Sequence, residues 1–323
     1  MANLGGLVGY SVNNTGGVAG WSETLSGAEG FISSPSGSPQ ALSFPSASET
    51  FAYGLNDAGV AVGISYVNGQ AHGTIWSGST ATDLGAGVFA TGINDAGEVI
   101  GSNGHAFVLA NGQYQDLGTI PGGAWSAAYG INDSGTVVGD GMTASGAFRG
   151  IVWDSQGDMQ VLGTFGGSSS QANAVNNMGE VVGFASLASG YQHAFSLSDA
   201  AMIDLGTLGG GSSYAYGVND SGEIVGYSWL ADGSTHAFLY LDGQMLDLNS
   251  LLTAGSGWEL LAAYGINDQG QITGEGLYNG VLSAFLLTDP PGPSPAGINP
   301  VPEPGLLPVL ALGLLVLWRR RYA

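Results

Sequence analysis

The apolar positions of this chain fall in short runs of β-forming residues, each closed by glycine or by Asn and Asp. That punctuation predicts many short strands joined by tight turns. One phrase orders the pattern: an apolar residue, Asn, a second Asn or Asp, any residue, Gly, then small or β-branched residues ending in Gly. It opens at Val12-Asn13-Asn14, Leu55-Asn56-Asp57, Ile93-Asn94-Asp95, Ile131-Asn132-Asp133, Val175-Asn176-Asn177, Val218-Asn219-Asp220 and Ile266-Asn267-Asp268. Its first Asn recurs at spacings of 43, 38, 38, 44, 43 and 48 residues, which makes the chain a sevenfold repeat.

Two further phrases lie inside each repeat. One is His-Ala-Phe-like, at His72, His105, His193 and His236, with degenerate forms at Gly30-Phe31, Gly150-Ile151 and Ala284-Phe285. The other is Asp-Leu-Gly-Thr-Leu-Gly-Gly-like, clearest from Asp116 and from Asp204. Each histidine stands 11 residues before the Asp that opens this second phrase, a fixed interval that predicts a rigid hairpin. Each repeat therefore reads as four strands, here called a to d. Strand a ends at the invariant Asn, strand b is Val-Val-Gly-like, strand c carries the His-Ala-Phe phrase and strand d ends in Asp-Leu-Gly. An Asn-Asp-x-Gly turn joins a to b, with side-chain oxygens to cap the bend and a glycine able to take positive φ. Asn111-Gly112 and Asp242-Gly243, between c and d, are type I′ hairpin signals. The b–c segment varies in length and reads as a loop that tolerates insertion.

Four antiparallel strands in about 42 residues is the blade period of a β-propeller, so the expected fold is all-β with seven blades over residues 1–288. The alternative is an open β-solenoid, whose coils repeat faster than this. The chain opens on Asn3-Leu4-Gly5-Gly6, which looks like the end of a strand d, and the last repeat stops after strand c. The N-terminal segment is thus expected to complete the last blade and leave no raw sheet edge.

Composition narrows the functions. Glycine makes up 58 of 323 residues, yet 44% of the chain is hydrophobic, too much apolar material for a disordered linker. Lysine is absent, and 25 acidic residues face four arginines, three of them Arg319, Arg320 and Arg321. Such a surface repels phosphate backbones and excludes nucleic acid as a partner. With no cysteine, thiolate chemistry and Cys-based metal sites are excluded.

The three ordered phrases resemble those of HAF-repeat proteins, a family of extracellular bacterial proteins, over about residues 3–288. The resemblance implies export and a repeat scaffold, and no established reaction. Residues 289–300 form a Pro/Gly-rich linker, and residues 301–323 are similar to a PEP-CTERM sorting signal. Val301, Pro302, Glu303 and Pro304 form the motif. An uncharged run marked by Leu306, Leu310, Leu314 and Trp318 follows, and the arginine cluster closes it. As a helix this run spans about 20 Å, short for a stable membrane crossing and suited to a transient inner-membrane anchor. The resemblance implies processing by an exosortase near the Pro-Glu-Pro and an exopolysaccharide-producing Gram-negative host; an anchor that stays attached is the alternative. Met1 to Gly20 has neither a basic residue nor a continuous apolar stretch, so an export signal is expected to lie upstream.

Candidate chemistry is sparse. The histidines share one repeat position and would sit in separate blades, each bonded to backbone or to a neighbouring blade, so no metal or cofactor is expected. The Asn-Asp-x-Gly turns lack the dense ligand set of a Ca²⁺ loop and read as turn chemistry, weak Ca²⁺ binding being the lesser reading. Asp140, Arg149, Glu259 and Glu275 break the repeat. Asp140 and Glu275 both follow the strand b glycine and could reach one face, although nothing in the sequence marks them as a perturbed acid/base pair. In an up-and-down blade the b–c and d–a connections share one face. Tyr66, Tyr191, Trp229 and Tyr278 lie on it, where their rings could stack on sugars. The expected function is an exported, non-catalytic scaffold that binds polysaccharide or a surface protein. An extracellular propeller enzyme acting on polysaccharide is the alternative.

Overall fold

The computed structural model describes residues 1–34, 39–199 and 201–288. These form seven four-stranded antiparallel sheets, the blades of a β-propeller, and the first six run a-b-c-d in chain order. Blade 1 comprises Val8–Val12, Val18–Thr24, Gly27–Ser33 and Gln40–Ala41. Blade 7 takes its first three strands from Trp258–Ile266, Ile272–Tyr278 and Val281–Leu287 and its fourth from Ala2–Asn3. Ala2 pairs with Leu286 and Asn3 with Phe285, so the expected N-terminal closure is present. The linker, the sorting motif, the apolar run and the arginine cluster lie outside the described residues. Among the described residues no helix is long and apolar enough to cross a membrane.

The core is distributed between blades. Each apolar cluster joins two neighbours: Ile100, Ala106 and Leu117 of blade 3, for example, pack on Ala128, Val137, Ile151 and Trp153 of blade 4. Strand b is therefore covered on both faces. Val137 and Val138 point opposite ways and are 1% and 0% exposed, which explains the unbroken Val-Val reading where a half-buried strand would alternate. Hydrogen bonds reinforce the same seams. Ser126 Oγ accepts from Ala106 N at 2.8 Å and donates to Gly118 O at 2.6 Å, both in the preceding blade. Thr50 does the same toward Gly30 N and Leu42 O of blade 1.

Every strand a carries a β-bulge three residues before its invariant Asn, at Tyr10, Tyr53, Thr91, Tyr129, Asn173, Tyr216 and Tyr264. The bulge brings strand b so close that a Cβ on its glycine would land on a strand a carbonyl oxygen. Gly63 meets Phe51 O, Gly101 meets Phe89 O and Gly139 meets Ala127 O. A bulge also turns its extra side chain out of the ladder. The Val-Val-Gly ending and the residue before Ala/Gly-Ile/Val-Asn thus form one structural device.

The a–b turns have the expected form, with Gly59, Gly97 and Gly135 at φ of 76° to 80°. Asn111-Gly112 and Asp242-Gly243 hold positive φ at both central positions, as a type I′ turn requires. Of the variable b–c segments, 143–147, 188–191 and 230–234 are loops as expected, and two others differ. Residues 65–71, read as a loop, are strand on both sides of a two-residue turn at Asn68-Gly69, and Val67 pairs with Gln70. Tyr278 likewise pairs with Val281 across Asn279-Gly280. Extra length in these repeats extends the hairpin, because each added pair of residues can continue the ladder.

Candidate functional site

The seven invariant asparagines converge at one mouth of the axial channel, 3% to 6% exposed. Each side-chain oxygen accepts from the backbone N–H four residues on, as Asn132 Oδ1 does from Thr136 N at 2.9 Å. Each Nδ2 donates to the backbone carbonyl of the next blade's Asn. The bonds run from Asn13 to Asn56, Asn94, Asn132, Asn176, Asn219 and Asn267 at 2.8 to 3.2 Å, and Asn267 returns to Asn13 at 2.8 Å. The ring closes on itself. The turn reading of these residues is correct for the oxygen; the amide nitrogen binds the blades together.

A second ring lies outside the first. The backbone N–H of each following residue donates to the side chain of its counterpart in the next blade, from Asn14 to Asp57 and finally from Asp268 back to Asn14. Five of these side chains are Asp. Burial, countered by the Asp57 N–H and helped by the charges of Asp57 and Asp133, pushes the Asp95 carboxyl up. Asn14 and Asn177 relieve this crowding, since Asn177 Nδ2 donates to Asp133 Oδ2 at 3.0 Å.

Above the rings the channel holds a cavity of about 210 Å³ lined by all seven blades, into which the bulged side chains project. Tyr10 packs between Tyr53 and Tyr264, tilted to both rings, at centroid distances of 5.3 and 5.4 Å. Tyr129 and Tyr264 each donate their hydroxyl at 3.0 Å to a carboxyl on strand b of their own blade, Asp140 and Glu275 respectively. Burial pushes the Asp140 carboxyl up to about 6, against the Tyr129 hydrogen bond. Burial likewise raises Glu275. These two residues, marked in the sequence only as departures from the repeat, are both perturbed carboxyls at the same place in different blades.

The opposite mouth is aromatic. Tyr66 packs edge-on against Phe51 at 6.1 Å, and Tyr278 tilts against Trp258 at 5.0 Å. Tyr191 is 53% and Trp229 40% exposed. All four predicted aromatics lie at the b–c end of their blades, spread over blades 2, 5, 6 and 7. Phe89 and Phe148, which the sequence reading passed over, are equally open at 42% and 44%.

The histidines also sit at this end, and their partners differ from expectation. Nδ1 of His72, His105, His193 and His236 meets Asp83, Asp116, Asp204 and Asp247 of the same blade at 3.1, 3.0, 2.8 and 2.7 Å. Each Asp also accepts a backbone N–H two residues on, as Asp83 does from Gly85. Against partial burial, that N–H and the imidazole hold the Asp83 and Asp116 carboxyls below their usual value. The constant 11-residue interval is the sequence trace of this pair. Among the described residues no group of three or more His, Asp or Glu side chains could hold a metal ion.

The fold and the two mouths define a β-propeller with a polar, internally bonded face and an open aromatic one. No family model matches the chain. No curated protein matches it either. Similar solved structures include TolB from Acinetobacter baumannii, at 11% identity and TM-score 0.46 over 84% of this chain and 79% of that one. The BP39L lectin from Burkholderia pseudomallei aligns at 9% identity and TM-score 0.45 over 87% and 98%. AofleA from Arthrobotrys oligospora aligns at 10% and 0.45 over 88% and 90%. At these identities the likeness extends to the fold alone.

Proposed function

We propose that the protein is an exported, non-catalytic scaffold of the cell surface or extracellular matrix, whose b–c face binds polysaccharide or a surface protein. The observation that carries this reading is the asymmetry of the two faces. Of the thirteen exposed large apolar residues among those described, eight lie at the b–c and d–a end, including Phe89, Phe148, Tyr191, Trp229 and Tyr278. The other mouth spends its polar groups on its own two rings. Flat, open aromatic rings suit the C–H faces of sugars, and exposed apolar surface concentrated at one end supports an interaction site there. Exosortase processing of the tail after transient insertion in the inner membrane rests on the sequence of residues 301–323. Glycan-array binding that falls at least tenfold in Trp229→Ala and Tyr191→Ala supports the face; unchanged binding overturns it. Mass spectrometry of the mature C-terminus tests the tail: loss of residues beyond about Pro304 is expected, and an intact Arg-Arg-Arg-Tyr-Ala end refutes processing.

The second reading, an extracellular enzyme acting on polysaccharide, draws on the raised carboxyls of Asp140 and Glu275, since such groups suit general acid–base work. Asp140 is only 4% exposed, which places it out of substrate reach and favours the binding reading. Turnover of a polysaccharide that is lost in Glu275→Gln would restore the enzyme.

A further inference from the structure

Glu275 stands in surroundings that no other carboxyl of the described chain shares. Its partner Tyr264 is flanked by Tyr10 of blade 1 at 5.4 Å and by Tyr216 of blade 6 at 5.3 Å, with interplanar angles of 49° and 75°. Tyr227 stacks on Tyr216 at 5.8 Å and 19°. Three blades thus contribute ring faces and edges to one corner of the channel, and the bulges of strand a aim three of the four rings there. Burial chiefly, with the Glu275 charge adding to it, raises the hydroxyls of Tyr10, Tyr227 and Tyr264, which puts all three within the field of this carboxylate. Each of these residues keeps part of its surface open.

Nothing among the described residues neutralises the charge. Lysine is absent from the sequence, and the one described arginine, Arg149, donates to the backbone carbonyls of Phe148 and Ser168. The four histidines are engaged with their own aspartates. Glu275 has a single side-chain hydrogen bond, from Tyr264. A partly desolvated carboxylate walled by electron-rich rings attracts one kind of ligand most strongly, a cation too large and too weakly hydrated to prefer water. Aromatic faces supply the cation–π attraction and the carboxylate the counter-charge.

We propose that the corner formed by Glu275, Tyr10, Tyr216, Tyr227 and Tyr264 binds an organic ammonium group. The shared chemistry is the charged nitrogen, whether it is the free amine of an amino sugar or a quaternary methylammonium. The site lies in the channel wall and is separate from the rim aromatics of the proposed glycan face, so either can fail alone.

The test is calorimetric titration of the full chain at low salt with three probes: tetramethylammonium, a glucosamine oligomer and its N-acetylated counterpart. Both cations are expected to bind, and the acetylated oligomer at least tenfold more weakly than the free amine. Glu275→Gln keeps an oxygen to accept the Tyr264 hydroxyl, so it should fold, and it should weaken both cations at least tenfold. Tyr216→Leu removes one ring wall, leaves the carboxylate in place and should weaken tetramethylammonium severalfold. Absence of binding by both cations overturns the proposal, as does cation binding that survives Glu275→Gln. Equal affinity for free and acetylated oligomers overturns it while leaving the rim reading intact.

Discussion

Asn132→Asp is a near-isosteric change that separates the two jobs of a ring asparagine. The new side chain can still accept from Thr136 N and from Ser134, which Asn132 Oδ1 now does at 2.9 and 3.2 Å. It cannot donate to Asn176 O, which Nδ2 reaches at 2.9 Å. Losing that bond costs about 0.5–1.5 kcal/mol, since Asn176 O keeps the bond from Gly179 N at 3.1 Å. The site is 5% exposed, and placing a carboxylate against a carbonyl oxygen there brings the total to about 3–5 kcal/mol at neutral pH. The sign with pH follows from linkage. The introduced carboxyl is raised in the folded state, so its penalty is complete above the folded pKa and vanishes below the unfolded value of about 3.9. Once protonated, it can donate to Asn176 O again. Urea unfolding of both chains, followed by tryptophan fluorescence, should show the full deficit at neutral pH and most of it recovered near about pH 3.5. Equal stability at neutral pH, or a deficit that widens on acidification, refutes the inter-blade role of the ring.

Three other outcomes follow from the same geometry. Asp140→Asn should stabilise the fold at neutral pH by up to about 3 kcal/mol, because the folded pKa of about 6 exceeds the unfolded one of about 3.9. The gain should be complete above about pH 6 and absent below about pH 4; a stability difference flat across that window rejects it. Gly139→Ala drives a Cβ onto Ala127 O and should cost about 3 kcal/mol by chemical denaturation, whereas the same change at Gly112, with no neighbour near its Cβ position, should cost only its backbone strain. Deleting residues 1–6 removes Leu4, 6% exposed, and the pairing to Val281–Leu287. The freed apolar edge should lower the melting temperature and produce aggregates in light scattering, and a monomeric variant of unchanged melting temperature contradicts the closure.

Much of this architecture was legible because the repeat states it seven times. Strand order, blade count, the type I′ turns and the closing strand all follow from spacing and turn residues, which are local signals. What stayed hidden acts between blades. Asn132 and Asn176 are 44 residues apart, and no local pattern shows that one donates to the other. The His–Asp pairs were within reach of sequence. In antiparallel register Phe107 faces Asp116, which makes His105 its diagonal neighbour on the same face. The four pairs share that interval, so the interval itself was the signal. The b–c hairpins of blades 2 and 7 escape a sequence reading because length variation looks the same in a loop and in a lengthened hairpin. The perturbation of Asp140 and Glu275 comes from burial among tyrosines of the channel, which exists only once the bulges have turned those rings inward.

The asparagine ring also has an electrostatic consequence. Its amide donors and carbonyl acceptors all point the same way around the axis, each blade to the next and the last to the first. In a helix, dipoles aligned head to tail along a line add to a macroscopic moment with charged ends. Bent into a closed circle, seven comparable tangential dipoles cancel, and no end remains to attract an ion. The ring therefore gives this mouth rigidity without polarity. The field there is left to the aspartates of the outer ring, and substituting those residues one by one would retune the charge of the channel entrance without loosening the clasp beneath it.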